Sequence, residues 1–168
     1  MTDGGSSTPR TWIAEAADLD AVAALLGEFR SWVGNSEPTD VQMRASVERI
    51  HAGGDGGYLL AAIGDGEPQG VCQLRFRWSA WTSSPDAWLE DLFVRESARG
   101  CGLGRALLDA AAEHARARGC ARIELDVDEA NAPALALYRA GGFAGDAKAK
   151  ARSLLLGRAL VPSAEPPS

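Results

Sequence analysis

The chain has 168 residues with 17 basic and 23 acidic side chains, a net charge of −6 and a pI near 4.9. That length suits one domain with a sizeable core, and the acidity argues against a non-specific nucleic-acid binder, which needs a basic face. Its cysteines, Cys72, Cys101 and Cys120, are odd in number and widely spaced, which fits neither a disulfide framework nor a zinc pattern.

Residues 1–10 and the tail over 161–168 are rich in Gly, Ser and Pro and are expected to be disordered. The N-terminus lacks the apolar run of a secretory signal, and no stretch approaches the roughly 18 apolar residues of a membrane span. The expected location is cytoplasmic, with no membrane or nucleic-acid partner. Thr11 to Ala14 reads as a strand, after which Asp18 caps a helix whose apolar face is Val22, Leu25, Leu26, Phe29 and Val33. Thr39 with Gln42 forms a capping box for a second helix, with Met43, Val47 and Ile50 along one side. Tyr58 to Ile63 is a strand, Gly64 to Gly66 a turn, and Gly70 to Trp78 the hairpin partner. In that partner Cys72, Leu74, Phe76 and Trp78 alternate with Val71, Gln73, Arg75 and Arg77, the period of a sheet with one wetter face. A loop over 79–87 leads into an apolar strand that ends at Val94.

From Gly102 the pattern turns helical, with Leu103, Ala106, Leu107, Ala110, Ala111 and His114 on one face. Ile123, Leu125 and Val127 make the next strand, Asn131 and Pro133 open another helix, and Gly141-Gly142 ends it. The chain from Phe143 onward and Ser153 to Leu160 can supply two last strands. Alternating strands and helices call for a layered α/β domain over 11–160, with helices packed on a sheet.

The chemically loud feature lies between the strand and the third helix: Arg99, Gly100, Cys101, Gly102, Leu103, Gly104 and Arg105. A glycine-rich turn entering a helix points backbone N–H groups at a positive dipole end, which is a ready anion site for phosphate. No Lys-Ser/Thr follows the last glycine, so the turn is not a P-loop. Its spacing also fails the dinucleotide fingerprint, since the third position falls on Arg105 or Leu107.

What remains is R-x-x-G-x-G, formed by Arg99, Gly102 and Gly104, and here the chain resembles the GNAT family of acyl-CoA-dependent N-acetyltransferases. The resemblance spans roughly 11–160 and is specific around 88–143. It is nearest to the diamine and thialysine acetyltransferase branch, on Leu89-Glu90-Asp91-Leu92-Phe93-Val94 before the turn and Asn131-Ala132-Pro133 through Tyr138 after it. It implies an α/β single-domain GNAT fold: a central mixed, mostly antiparallel sheet of about six or seven strands, splayed into a V and flanked by about four helices. The implied cosubstrate is acetyl-CoA, with no metal, and a homodimer is the implied assembly. The turn, Arg99 to Arg105, would hold the pyrophosphate, the backbone of Leu92, Phe93 and Val94 would pair with pantetheine amides like an added strand, and Asn131 would contact the same arm besides capping its helix.

Transfer from a thioester to an amine needs a base for the attacking nitrogen and an acid for the leaving thiolate. The resemblance puts Glu90 at the amine pocket and Tyr138 near the thioester sulfur, as base and acid. Read alone, Glu90 is equally a solvated strand carboxylate and Tyr138 a core aromatic. Strict alternation places Glu90 with Trp88, Leu92 and Val94, and Asp91 on the opposite face with Leu89 and Phe93. Cys101 occupies a variable position in the turn, because direct transfer needs no protein nucleophile. Trp78 and Trp81, with Trp88, Asp86, Glu90 and Asp91, are candidates to hold a small cationic amine through ring faces and carboxylates. A departure from the branch is Asp146 followed by Lys148, Lys150 and Arg152. Positive charge there repels a polycation and suits an acceptor with its own carboxylate, such as a lysine analogue. The expected function is transfer of acetyl from acetyl-CoA to a small-molecule primary amine; the rivals are a protein N-terminal or lysine acetyltransferase and a non-catalytic acyl-CoA sensor.

Overall fold

The structure is a computed structural model that describes residues 8–145 and residue 160. Among them run β1 (Pro9–Ile13), α1 (Leu19–Trp32), α2 (Asp40–Gly53), β2 (Gly56–Ile63), β3 (Gly70–Ser79), β4 (Ser84–Val94), α3 (Leu103–Ala117), β5 (Ile123–Glu124) and α4 (Ala132–Ala140). The sheet order is β1-β2-β3-β4-β5, antiparallel except for the parallel β4/β5 pair. Five strands are fewer than the six or seven expected. The two further strands, from Phe143 onward and over Ser153 to Leu160, fall almost wholly outside the described residues, as do residues 1–7, Asp146, Lys148, Lys150, Arg152 and the tail over 161–168, whereas Pro9 and Arg10, expected to be disordered, open β1 against Ile63 and Ala62.

Side-chain alternation splits the core into two layers. Leu59, Ala61, Cys72, Leu74, Ala87 and Leu89 face α3, which contributes Leu103, Leu107, Leu108, Ala111 and Ala115. Tyr58, Leu60, Val71 and Phe93 face the other way, onto Leu19, Val22, Leu25 and Leu26 of α1 and Val47 of α2. Leu74, Leu107 and Leu60 have no exposed surface, and each buried side chain of that size stabilises the fold by about 1.5–3 kcal/mol.

The capping box of α2 forms as its sequence dictates, with Thr39 Oγ1 accepting from the Gln42 N–H at 3.3 Å and Gln42 Oε1 accepting from the Thr39 N–H at 2.9 Å. Asp18 behaves differently: its carboxylate accepts from the Glu15 N–H at 2.9 Å and closes a single 3-10 turn over Ala16–Asp18, so α1 starts without a side-chain cap. The expected loop over 79–87 is mostly strand. β4 starts at Ser84 because Asp86, buried beside the turn, is held by Arg122 at 2.9 Å and fastens the hairpin tip to the chain entering β5.

Two irregularities position the site. β5 pairs with β4 only at Ala87↔Ile123 and Trp88↔Glu124, so the expected strand through Leu125 and Val127 stops early and the sheet opens into a V. On β4 the register passes from Gln73↔Asp91 to Leu74↔Leu89, leaving Glu90 as an extra residue in a β-bulge. The bulge inverts the alternation: Leu92 and Val94 join Leu89 against α3, while Phe93 packs with α1. Glu90 and Asp91 therefore lie on the same face, not on opposite faces as strict alternation requires.

Candidate active site

The glycine turn follows β4 through a 3-10 turn over Glu96–Ala98. Gly100 and Gly102 sit at φ +77° and +83°, a left-handed conformation that costs any other residue roughly 1–2 kcal/mol. Gly102 is the N-cap of α3 and no side chain caps that end, so the first N–H groups of the helix point outward beside its positive dipole end. Gly104 is a glycine for space instead: a Cβ there would stand 3.3 Å from Leu137 Cδ2, where α3 and α4 meet.

The turn opens on a cleft of about 650 Å³, within the range of small-molecule and cofactor sites. Leu92, Phe93 and Val94 form one wall and Asp126, Val127 and Asp128 the other, the two arms of the V. Arg99, Gly100, Gly102, Leu103, Gly104 and Arg105 close one end, and Asn131, Leu137 and Tyr138 of α4 line it from above. The last turn of α1 adds Phe29 and Trp32, followed by Val33. Arg95 donates to Glu28 at 2.8 and 2.7 Å, tying α1 to the end of β4 and holding those rings at the cleft.

The two arginines of the turn have different surroundings. Arg99 Nε donates to the Val94 carbonyl at 3.1 Å, and its guanidinium lies 4.9 Å from the ring centroid of Trp32. Arg105 is committed to the fold: it donates to both Asp109 oxygens at 2.9 Å and to the Ala140 carbonyl at 2.9 Å, closing the end of α4. Cys101 is exposed, with its thiol 3.8 Å from the Arg99 carbonyl, and is not among the residues lining the cleft.

Asn131 does both things expected of it, since Oδ1 accepts from the Ala134 N–H at 3.2 Å as the N-cap of α4 and the residue also lines the cleft. Tyr138 is half-buried, tilted against Phe143 at 6.0 Å. Burial pushes its hydroxyl above the usual 10.0, and the negative charges of Asp91 and Asp126 add to the shift. It remains a neutral proton donor at any physiological pH.

At the bulge, Glu90 is exposed and Gln73 Nε2 donates to its Oε2 at 2.5 Å. Asp91 is partly buried, and burial, with the neighbouring Glu90, raises its pKa above the usual 3.8. Trp78 and Trp81 are not brought to this point. They sit at the β3–β4 hairpin tip, 72% and 97% exposed. Trp78 is paired with Pro85, roughly 17 Å along the strand from Glu90 at about 3.4 Å per residue. Asp86 is occupied by Arg122. Among the cleft residues that the sequence did not announce are Trp32, Asp126 and Asp128. Trp32 sits at the edge of the apolar stripe of α1, stacked on Phe29 three residues before it, and the two aspartates flank Val127 in a segment that read as strand.

This geometry has close relatives. The family model described as acetyltransferase (GNAT) family matches residues 19–143. The chain belongs to the GNAT acetyltransferase family. It is accordingly an enzyme, an acyltransferase that uses acetyl-CoA to acetylate nitrogen. Among relatives, it is 34% identical over 141 residues to the thialysine N-epsilon-acetyltransferase of Sus scrofa, covering 77% of this chain and 80% of that one. It is 31% identical over 134 residues to the aminoglycoside N(6')-acetyltransferase type 1 of Stenotrophomonas maltophilia, covering 78% and 84%. A solved structure from Arthrobacter sp. FB24, classed as an acetyltransferase, superposes with a TM-score of 0.81 at 34% identity, covering 94% of this chain and 100% of that one. The GNAT architecture of an α/β fold with a mixed sheet and four helices is thus common to this chain and its relatives.

Proposed function

We propose that this GNAT enzyme moves the acetyl group of acetyl-CoA onto the primary amine of a small molecule such as a diamine, a lysine analogue or another amino compound. The observation that carries the reading is the uncapped N-terminus of α3 behind two left-handed glycines, opening on a cleft walled by the free edge of Leu92–Val94. A diphosphate at the turn and an extended pantetheine arm along that edge would bring the thioester toward Tyr138 and the bulge. The relatives named for thialysine and for aminoglycosides support a small amine as acceptor.

In this reading the amine, deprotonated with Glu90 as base or as the group that orients a water, attacks the thioester carbonyl. The C–N bond forms, the tetrahedral adduct collapses with loss of the C–S bond, and the Tyr138 hydroxyl protonates the departing thiolate. The neutral, half-buried Tyr138 supports that role. Arg99, Gly100, Gly102, Leu103 and Gly104 are the phosphate-binding set, with Arg105 as a brace behind the turn and Cys101 as a spacer. Asp91, partly buried next to Glu90, adds negative charge on the acceptor side without a direct contact to the amine. Trp78 and Trp81 would reach an acceptor only from a second copy of the chain, which agrees with a homodimer.

Release of free thiol from acetyl-CoA, measured against lysine analogues, diamines, an aminoglycoside and an N-terminal peptide, tests the reading. Turnover with one or more small amines is expected. Turnover with the peptide alone would replace it with a protein acetyltransferase, and coenzyme A binding without turnover would replace it with an acyl-CoA sensor.

A further inference from the structure

Tyr58, Gln73 and Asp91 are successive register partners across β2, β3 and β4, so they form one row on the sheet face covered by α1 and α2. Three polar groups in a row are unusual in that layer, where Leu60, Val71 and Phe93 are the neighbours. Gln73 is 6% exposed and Tyr58 is 1% exposed. A leucine at position 73 would fill the same space without the desolvation cost of a buried amide. Among the described residues the Tyr58 hydroxyl has no hydrogen-bond partner, so the row is not a closed structural network.

The one strong bond in this row leaves it sideways. The Gln73 amide reaches the extra residue of the bulge and donates to Glu90 at 2.5 Å, a charge-assisted contact from a neutral donor to a carboxylate. An exposed glutamate otherwise samples several rotamers, and this bond selects one. Asp91, one residue on, is drawn instead toward the buried row, where its charge and that of Glu90 both act on the Tyr58 hydroxyl. Burial is the main cause that brings that phenol up to about 12, against an opposing Arg75, so Tyr58 stays protonated and does not compete as a base.

The geometry points to Gln73 as a positioning residue that decides which of two adjacent carboxylates serves the acceptor amine, holding Glu90 outward at the bulge while Asp91 stays with the buried row. This rests on the proposed acetyl transfer, and it assigns to Gln73 no contact with substrate. Its chemical content is that the amide leaves one Glu90 oxygen free to accept a proton, and being neutral it adds no charge that would repel a cationic amine.

The test is a double-mutant cycle on the full chain, with acetyl-CoA and thialysine, and circular dichroism as the check on folding. Glu90→Gln is expected to lower kcat roughly a hundredfold. Gln73→Leu is expected to lower kcat about tenfold with the KM for acetyl-CoA unchanged, and the double variant to be no slower than Glu90→Gln alone. Gln73→Met, equally long and also without a donor, replaces Gln73→Leu if the latter does not fold. Full kcat in the Gln73 variant, or losses that multiply in the double variant, would overturn the positioning role while leaving the acetyl transfer intact. An inactive parent chain would overturn the inference together with the acetyl transfer beneath it, and a fully active Glu90→Gln would overturn it together with the role of Glu90 while leaving the transfer intact.

Discussion

The far end of β4 lines the cleft while its middle, at Glu90 and Asp91, does not, and the two are built by different physical means. At Leu92–Val94 and the turn beyond, the useful groups are backbone: a free strand edge and the outward N–H groups of Gly102-capped α3. At Glu90–Asp91 they are side chains whose direction depends on a bulge and on a glutamine from the neighbouring strand. A backbone site tolerates any side chain that keeps the conformation, so its signature is glycine. A side-chain site has no such mark, because its residues are defined by what faces them.

Four experiments would break or sharpen that contrast. The largest effect is expected from Gly102→Val, because a β-branched residue at φ +83° is strained and its Cβ would stand 3.4 Å from Pro9 Cγ, so the turn that offers its N–H groups must shift. Coenzyme A affinity by calorimetry should fall at least about a hundredfold, near 2.7 kcal/mol, with the far-UV spectrum retained. Undiminished affinity would remove the turn from the cofactor site. Next comes Tyr138→Phe, which deletes only a proton donor: kcat should drop about tenfold, near 1.4 kcal/mol, with coenzyme A binding unchanged. Equal turnover would make the tyrosine a packing residue.

Third, Gly141→Ala adds a methyl that overlaps Leu108 Cδ2. We expect a loss of about 1 kcal/mol in urea unfolding, the low end for overpacking because a helix end can shift. No loss would mean that α4 is free to move relative to α3. The smallest effect belongs to Asp91→Asn and appears only as a pH dependence. Burial raises the Asp91 pKa above 3.8, so the folded chain holds that proton more tightly than the unfolded chain. Its stabilising contribution is present below the unfolded value and is lost as pH rises through the folded one. Thermal midpoints of the parent should therefore fall relative to Asp91→Asn as pH rises above about 4. Parallel curves would place Asp91 in solvent-like surroundings.

Legibility along the chain follows the same line. The capping box at Thr39 and Gln42, the α3 stripe and the Asn131 cap were readable because each is a local rule among residues within a turn of one another. Even there the α3 face was incomplete, since Leu108 and Ala115 also reach the core where the sheet wraps the helix. The hairpin tip misled for a different reason. Trp81 and Asp86 carry the chemistry of an amine pocket, yet one is 97% exposed and the other is spent on Arg122, a partner 36 residues away.

From the sequence alone came the layered α/β order, the family resemblance, and a phosphate-sized turn at Arg99–Arg105, all carried by periodicity and by backbone-permissive glycines. Tertiary structure decided the rest: that β5 parts from β4 after Trp88↔Glu124 to open the cleft, that Trp32 lines it, and that Glu90 and Asp91 share a face. The reason is that a bulge or a splayed strand is set by pairing between segments distant in the chain, and a single-strand pattern of alternation has no term for its partner.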